Sequence, residues 1–293
     1  MKGDINMNEI IKDRIKGSLY AFAIGDAMGA TTEFMTKDQI KKLFPEGLKD
    51  IVGGGWLGLP RGEVTDDTEM MMAVAQAYMD AYSMNEEVYL LKCCENFTSW
   101  MNSHPRDVGN TCRTAIIENG GKPPFTWIAS SWDRQTRGNR RDLGNGSLMR
   151  ALVPSLMGDY NGAIDQGKLT HNNKTQDSVI KEYAKIVDSL VRGSLRPLEN
   201  SLWGNTLNDP SGFVLKTYNN ALYWAYHSNT LEEAIVGAVN DGGDADTIAA
   251  ITGSLAGARW GFSCIPERWV RALSPQVREQ LDEVVDWTCK HFI

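Results

Sequence analysis

The chain of 293 residues is long enough to bury a substantial core as one large domain or two ordinary ones, and its 42% hydrophobic content is that of a globular protein. A formal net charge of −7 argues against a broad nucleic-acid-binding face, and no apolar run approaches the roughly 18 residues of a membrane helix. Charges every few residues in MKGDINMNEIIKDR leave no apolar stretch for a signal peptide, and five cysteines without C-x-x-C spacing read as mostly buried, reduced thiols, so a cytoplasmic location is expected.

In chain order, a short N-terminal arm over residues 1–12 is expected ahead of a domain spanning 13–293. Helical periodicity recurs in NEIIKDRIKGSLYAFAIG, TEMMMAVAQAYMDAYS, NEEVYLLKCCENFTSWM, TQDSVIKEYAKIVDSLVRG, FVLKTYNNALYWAYH, LEEAIVGAV, TIAAITGSLAGARWG and QVREQLDEVVDWTCKHF. Sustained two-residue alternation is missing, which predicts an all-α fold. Between these segments lie glycine- and proline-rich interruptions, among them ENGGKPPFTW and RPLENSLWGNTLNDPSG. The basic cluster Arg134, Arg137, Arg140 and Arg141 reads as a solvated loop, with approach to a phosphorylated ligand as the sharper alternative.

Two helices carry a stripe of very small residues: Gly17, Ala21, Gly25 and Gly29 in the first, Ala249, Gly253, Gly257 and Gly261 in the last but one. Repeated helical glycine is unfavourable by about 1 kcal/mol each, so close packing against neighbours or against each other is expected.

Acid gathers near the ends of these helices. The first small-faced segment carries Asp26 and then Glu33; Asp241, Asp244, Asp246 and Thr247 precede the second stripe; Thr65, Asp66, Asp67 and Thr68 open another helix. Singly, each start reads as a helix cap, since Asp and Thr accept from exposed N–H groups. Doubled carboxylates fit capping less well, because adjacent acids repel and, in apolar surroundings, need a cation. An all-oxygen set of Asp, Glu and Thr selects a hard divalent ion. An EF-hand counted from Asp244 fails, with Ala249 and Leu255 where glycine and glutamate are required. A Mg-dependent phosphohydrolase of the aspartate-nucleophile type stays as a weaker alternative. GNGSLMRAL has the form of a phosphate-cradling loop before a helix, or of a plain Asn-Gly turn.

Six ordered stretches, GSLYAFAIGDAMGATTE, GGGWLGLPRGEVTDDTEM, RDVGNTCRTAI, GNGSLMRALVP, LTH and AVNDGGDADTIAAITGSLAGARWG, resemble the ADP-ribosylglycohydrolase family. The resemblance implies a compact single-domain orthogonal helical bundle with a dinuclear Mg²⁺ or Mn²⁺ site that cleaves ADP-ribose from an acceptor, with an ADP-ribosylated protein, modified on arginine, as the favoured substrate. It implies one metal on Thr65, Asp66, Asp67 and Asp246 and the second on Glu33, Asp244, Asp246 and Thr247. Glu33 and Asp107 become candidates for proton handling, and Val108 stands where the family pattern has isoleucine. Gly144, Asn145, Gly146 and Ser147 match the pyrophosphate loop, and His171 matches a histidine near the ADP-ribose. Asp241 is left without a metal role. An immunity protein that binds an ADP-ribosyltransferase toxin is the alternative from a different class.

Overall fold

The computed structural model describes residues 7–82, 84–137, 143–195 and 209–292. Fourteen α-helices run in chain order among them: α1 (Met7–Gly29), α2 (Lys37–Leu43), α3 (Asp66–Asp80), α4 (Glu86–Asn102), α5 (Asn110–Asn119), α6 (Pro124–Arg137), α7 (Leu152–Leu156), α8 (Tyr160–Lys168), α9 (Lys174–Val191), α10 (Val214–His227), α11 (Leu231–Asp241), α12 (Ala245–Trp260), α13 (Glu267–Ala272) and α14 (Pro275–His291). The described residues hold no strand beyond two isolated bridges, Gly54 with Leu59 and Gly144 with Phe213. The all-α expectation therefore holds.

Helices α1 and α12 form the centre. Every residue of α12 from Ala245 to Ala258 is buried, as is α1 from Gly17 to Gly29. A helix apolar on all sides belongs inside a core. The two small-residue stripes face each other in antiparallel register, Gly17 against Gly257, Ala21 against Gly253, Gly25 against Ala249 and Gly29 against Ala245. A Cβ at Gly25 would lie 2.1 Å from the carbonyl oxygen of Ala249, and one at Gly253 only 2.0 Å from that of Ala21. The backbones are thus in direct contact, and Ser18 Oγ donates across them to the Ser254 carbonyl at 2.8 Å. Tyr183 of α9 closes the same layer with a 2.8 Å hydrogen bond to Ser254 Oγ.

A second apolar cluster, including Met70, Val74, Phe97, Trp127, Met149 and Leu169, lies under α3, α4 and α6. Here the structure corrects the sequence reading. ENGGKPPFTW is not an interruption throughout: Pro124 opens α6, the first-turn position at which a missing N–H is harmless. The basic cluster is accordingly no loop at Arg134, which sits on α6 and pairs with Glu118 at 2.7 Å. Arg140 and Arg141 lie outside the described residues. Helix α1 already includes Met7 to Lys12, while residues 1–6 of the expected arm lie outside the described residues.

Candidate metal centre and anion loop

The antiparallel register brings the C-terminal end of α1 beside the N-terminal end of α12, and α3 starts at the same point. Asp26, fully buried on α1, fixes that start. Its Oδ1 accepts from Thr65 N at 3.1 Å and Thr65 Oγ1 at 2.8 Å, and its Oδ2 from Thr68 N at 3.0 Å and Thr68 Oγ1 at 2.5 Å. A carboxylate from another helix thus caps α3, and the first turn that carries Asp66 and Asp67 is held in place. Thr65 adds the conventional cap, accepting from Asp67 N at 3.3 Å. Asp244 occupies the N-cap position of α12 but makes no cap hydrogen bond, so capping does not explain its carboxylate.

The turn ahead of α12 owes its path to Gly242 and Gly243, at φ 71° and 65°. A Cβ at Gly242 would lie 2.1 Å from Met35 O and one at Gly243 1.9 Å from Pro210 O. The strand of chain after α1 is pinned there, with Phe34 N donating to Gly243 O at 2.6 Å. Phe34 itself has φ 60°, a conformation that is uncommon for a bulky residue, directly after Glu33.

Glu33, Asp244 and Asp246 offer carboxylate oxygens within 4.8 Å of one another. Thr247 Oγ1 donates to Asp67 Oδ2 at 3.2 Å, which ties this trio to the α3 start. Asp67 Oδ1 is buried with no hydrogen-bond partner. No ion pair among the described residues reaches Asp26, Glu33, Asp66, Asp67, Asp107, Asp244 or Asp246. Buried charge without a partner is strongly unfavourable, so this collection fits a divalent cation with oxygen ligands. The N-termini of α3 and α12 contribute only partial positive charge.

The same crowding raises the acids' pKa values. Burial pushes Glu33 up to about 8; the Trp56 N–H opposes this, and Asp107 and Asp244 reinforce it. Burial likewise lifts Asp244 to about 6 against the Asn145 amide. Asp66, Asp67 and Asp246 stand well above the ordinary range, first through burial and then through neighbouring carboxylates. A folded pKa above the unfolded value means stability that is present at low pH and lost as pH rises through the folded pKa. Metal-free protein should therefore lose thermal stability as pH rises from 4.5 to about 8, the unfolded and folded pKa values of Glu33, and level off once Glu33 is ionised in both states. Glu33→Gln should flatten that slope, and a slope unchanged in this variant would show that Glu33 is not its source.

Around the trio, Trp56 Nε1 donates to Glu33 Oε2 at 2.5 Å, and Asn145 Nδ2 to Asp244 Oδ2 at 2.5 Å. Asp107 is half-buried, with Oδ1 accepting from Val108 N at 2.7 Å. The Gly144–Ser147 loop begins beside Asp244 through that Asn145 contact. Its carbonyls all have partners: Gly144 O accepts from Gln176, Asn145 O from the Leu148 and Met149 amides, Gly146 O from Arg150, and Ser147 O from Gln166. An anion at this loop meets carbonyl lone pairs already engaged inward, the arrangement that suits a phosphate. His171 is 2% exposed and packs on the loop; a Cβ at Gly146 would lie 3.0 Å from its Cε1. Burial, with Arg150 and Arg134 nearby, drives its pKa down to about 3.

The expected metal ligands lie at the junction of α1, α3 and α12; Asp107 comes from the segment between α4 and α5, tied to α3 where Gly109 N donates to Asp66 Oδ2 at 3.1 Å, and His171 from the segment between α8 and α9, against the Gly144–Ser147 loop. Four supporting residues escaped the sequence reading as functional: Asp26, Trp56, Arg150 and Gln176. Asp26 was visible as an acid near a helix end, but its role depends on Thr65 and Thr68, 39 and 42 positions away. Asp241 stands apart, bonded to Lys37 at 2.7 Å and to Trp224 Nε1 at 2.7 Å.

The family model described as ADP-ribosylglycohydrolase matches residues 7–292. The chain is 32% identical over 295 aligned residues to the ADP-ribosyl-dinitrogen reductase glycohydrolase of Rhodospirillum rubrum, covering 94% of this chain and 95% of that protein. It is 29% identical over 290 residues to the ADP-ribosylarginine hydrolase Tri1 of Serratia proteamaculans (strain 568), covering 91% of this chain and 76% of the relative. A solved structure described as an ADP-ribosylglycohydrolase-related protein complex superposes with a TM-score of 0.76 at 26% identity, over 97% of this chain and 99% of that one.

Proposed function

The chain belongs to the ADP-ribosylglycohydrolase family, a family of hydrolases, and on that premise we propose that it removes ADP-ribose from modified arginine side chains of a protein substrate, with two divalent cations, Mg²⁺ or Mn²⁺. The observation that carries the reading is the carboxylate trio Glu33, Asp244 and Asp246, which no ion pair among the described residues balances, beside a loop whose carbonyls are all engaged. Relatives named for ADP-ribosylarginine support arginine as the acceptor, and one named for ADP-ribosyl-dinitrogen reductase supports a protein substrate.

Thr65, Asp66, Asp67 and Asp246 would hold one cation and Glu33, Asp244, Asp246 and Thr247 the other, with Asp246 common to both. Bound there, the ions supply Lewis-acid polarisation of oxygen ligands. The remaining chemistry belongs to the chain. The Gly144–Ser147 loop receives the diphosphate and so sets the position of the ribose. Hydrolysis breaks the bond between the anomeric carbon and the guanidine nitrogen and forms a bond from that carbon to a water oxygen, through an oxocarbenium-like transition state. Glu33, its Oε2 engaged by Trp56, would be an ionised ligand of the second cation, and the departing nitrogen receives the proton that Asp107 removes from the attacking water. Asp107 takes the surplus water proton at Oδ2, its Oδ1 being held by Val108 N and its pKa raised by burial.

Arginine-, serine- and polymer-linked ADP-ribose substrates, assayed in parallel with Mg²⁺, Mn²⁺ or EDTA, test this. Release from the arginine linkage with metal and none with EDTA is expected. Release from another linkage alone would overturn the acceptor assignment, and liberation of inorganic phosphate would transfer the reading to a phosphohydrolase.

A further inference from the structure

Arg150 is among the largest side chains with no solvent exposure, and no ion pair among the described residues involves it. Its guanidinium is nonetheless fully engaged. Nε donates to Gln166 Oε1 at 2.6 Å, Nη1 to Gly146 O at 2.7 Å and to Cys112 Sγ at 3.4 Å, and Nη2 to Gln166 O at 3.1 Å and Thr170 Oγ1 at 2.7 Å. Its plane also lies 4.7 Å from the ring centroid of Phe97. A charge set this deep with every donor used is a device for holding something else in place.

Two things are held. One is the Gly144–Ser147 loop, through Gly146 O. The other is Thr170, whose Oγ1 lies 2.7 Å from His171 Nδ1. Arg150 occupies a lone pair of Thr170 Oγ1 and polarises the hydroxyl, so its hydrogen is free to be donated onward. Cys112 Sγ is the rival acceptor, but sulfur accepts weakly beside an imidazole nitrogen. Thr170 therefore donates to Nδ1, which leaves the imidazole proton on Nε2. That nitrogen faces the loop: a Cβ at Gly144 would lie 3.7 Å from it and one at Gly146 3.5 Å.

We propose that Arg150 and Thr170 act as a positioning relay that fixes His171 as the Nε2–H tautomer and aims this N–H at the Gly144–Ser147 loop as a donor to a bound diphosphate. The diphosphate half of the proposal rests on the function proposed above; the tautomer half does not. The depressed pKa of His171 agrees with a neutral ring. A neutral Nε2–H is a donor that asks no protonation event of the site, and the adjacent Arg150 charge keeps it so.

The test is long-range ¹H–¹⁵N correlation of ¹⁵N-histidine-labelled full-length protein at pH 7 without ligand, with His171 assigned by its loss in His171→Gln. Nδ1 is expected to resonate as the unprotonated nitrogen and Nε2 as the protonated one; a protonated Nδ1 overturns the proposal whatever the variants do. Thr170→Val should shift the tautomer balance and weaken ADP-ribose binding about tenfold, the scale of one hydrogen bond to a charged group. Thr170→Ser should restore both. A valine variant that keeps the wild-type tautomer and affinity would remove Thr170 from the relay. Wild-type protein with the expected tautomer but no affinity for ADP-ribose would defeat the functional reading and leave the tautomer assignment standing.

Discussion

Asp246→Asn is expected to lower ADP-ribose release by about three orders of magnitude or more, since each tenfold loss corresponds to about 1.36 kcal/mol and a lost metal ligand removes several kcal/mol of charge stabilisation. Asp246 is buried, lies within the trio with Glu33 and Asp244, and has its pKa raised by burial and by Glu33, Asp67 and Asp244. The same substitution removes a buried carboxyl group that has no counter-charge in metal-free protein, its Oδ1 accepting from Thr247 N at 2.8 Å. Its metal-free thermal midpoint at pH 8 should therefore rise above that of the wild type, while added Mg²⁺ or Mn²⁺ no longer raises it. Loss of activity with a retained metal-induced shift would exclude Asp246 as a shared ligand. Asp241→Asn serves as the comparison. That carboxylate is engaged by Lys37 and Trp224, so metal binding should survive the change.

Gly253→Val is expected to destabilise the fold by about 3 kcal/mol or more, at or beyond the upper end of ordinary overpacking. The new Cβ would meet the Ala21 carbonyl oxygen at 2.0 Å, and a backbone atom inside a buried helix cannot swing aside as a side chain does. Helix propensity alone predicts the opposite sign, because glycine is the poorer helix former. The experiment is therefore decisive: urea unfolding that shows a more stable variant would mean the two helices are not in backbone contact. Any folded Gly253→Val protein should also bind divalent cations more weakly. Spreading α1 from α12 separates Glu33 from Asp244 and Asp246, which is read by metal titration at constant folded fraction.

The long helices and the facing glycine stripes were legible in the sequence because both are matters of period: 3.6 residues for burial, four for close approach. Helices α2, α5, α7, α8 and α13 were not. They are short, so little period accumulates, and their order comes from docking onto elements far away in the chain. Helix α6 was hidden by the proline pair that opens it. At the site, Asp244, Asp246, Asp66 and Asp67 stood out as doubled acids and Glu33 as an acid beyond the first glycine stripe, while the division of these residues between two ions came from the family pattern. Arg150 was in plain view in GNGSLMRAL, yet nothing local distinguishes a fully buried arginine from an exposed one, and arginine is seldom buried. Trp56 was equally silent. It is 53% exposed, and its hydrogen bond to Glu33 spans 23 positions.

The contact between α1 and α12 also sets a timetable. Gly29 and Ala245 touch in the folded protein but leave the ribosome far apart in time. At roughly 5–20 residues per second, the interval between their synthesis is on the order of tens of seconds. Throughout it, the first helix carries a glycine groove with nothing laid in it, and, on the ligand set proposed above, Asp66 and Asp67 lack Asp246 as a shared ligand. A nascent chain interrupted before residue 246 should be unable to retain the cations, so metal capture reports completion of the central helix pair rather than any earlier stage of synthesis.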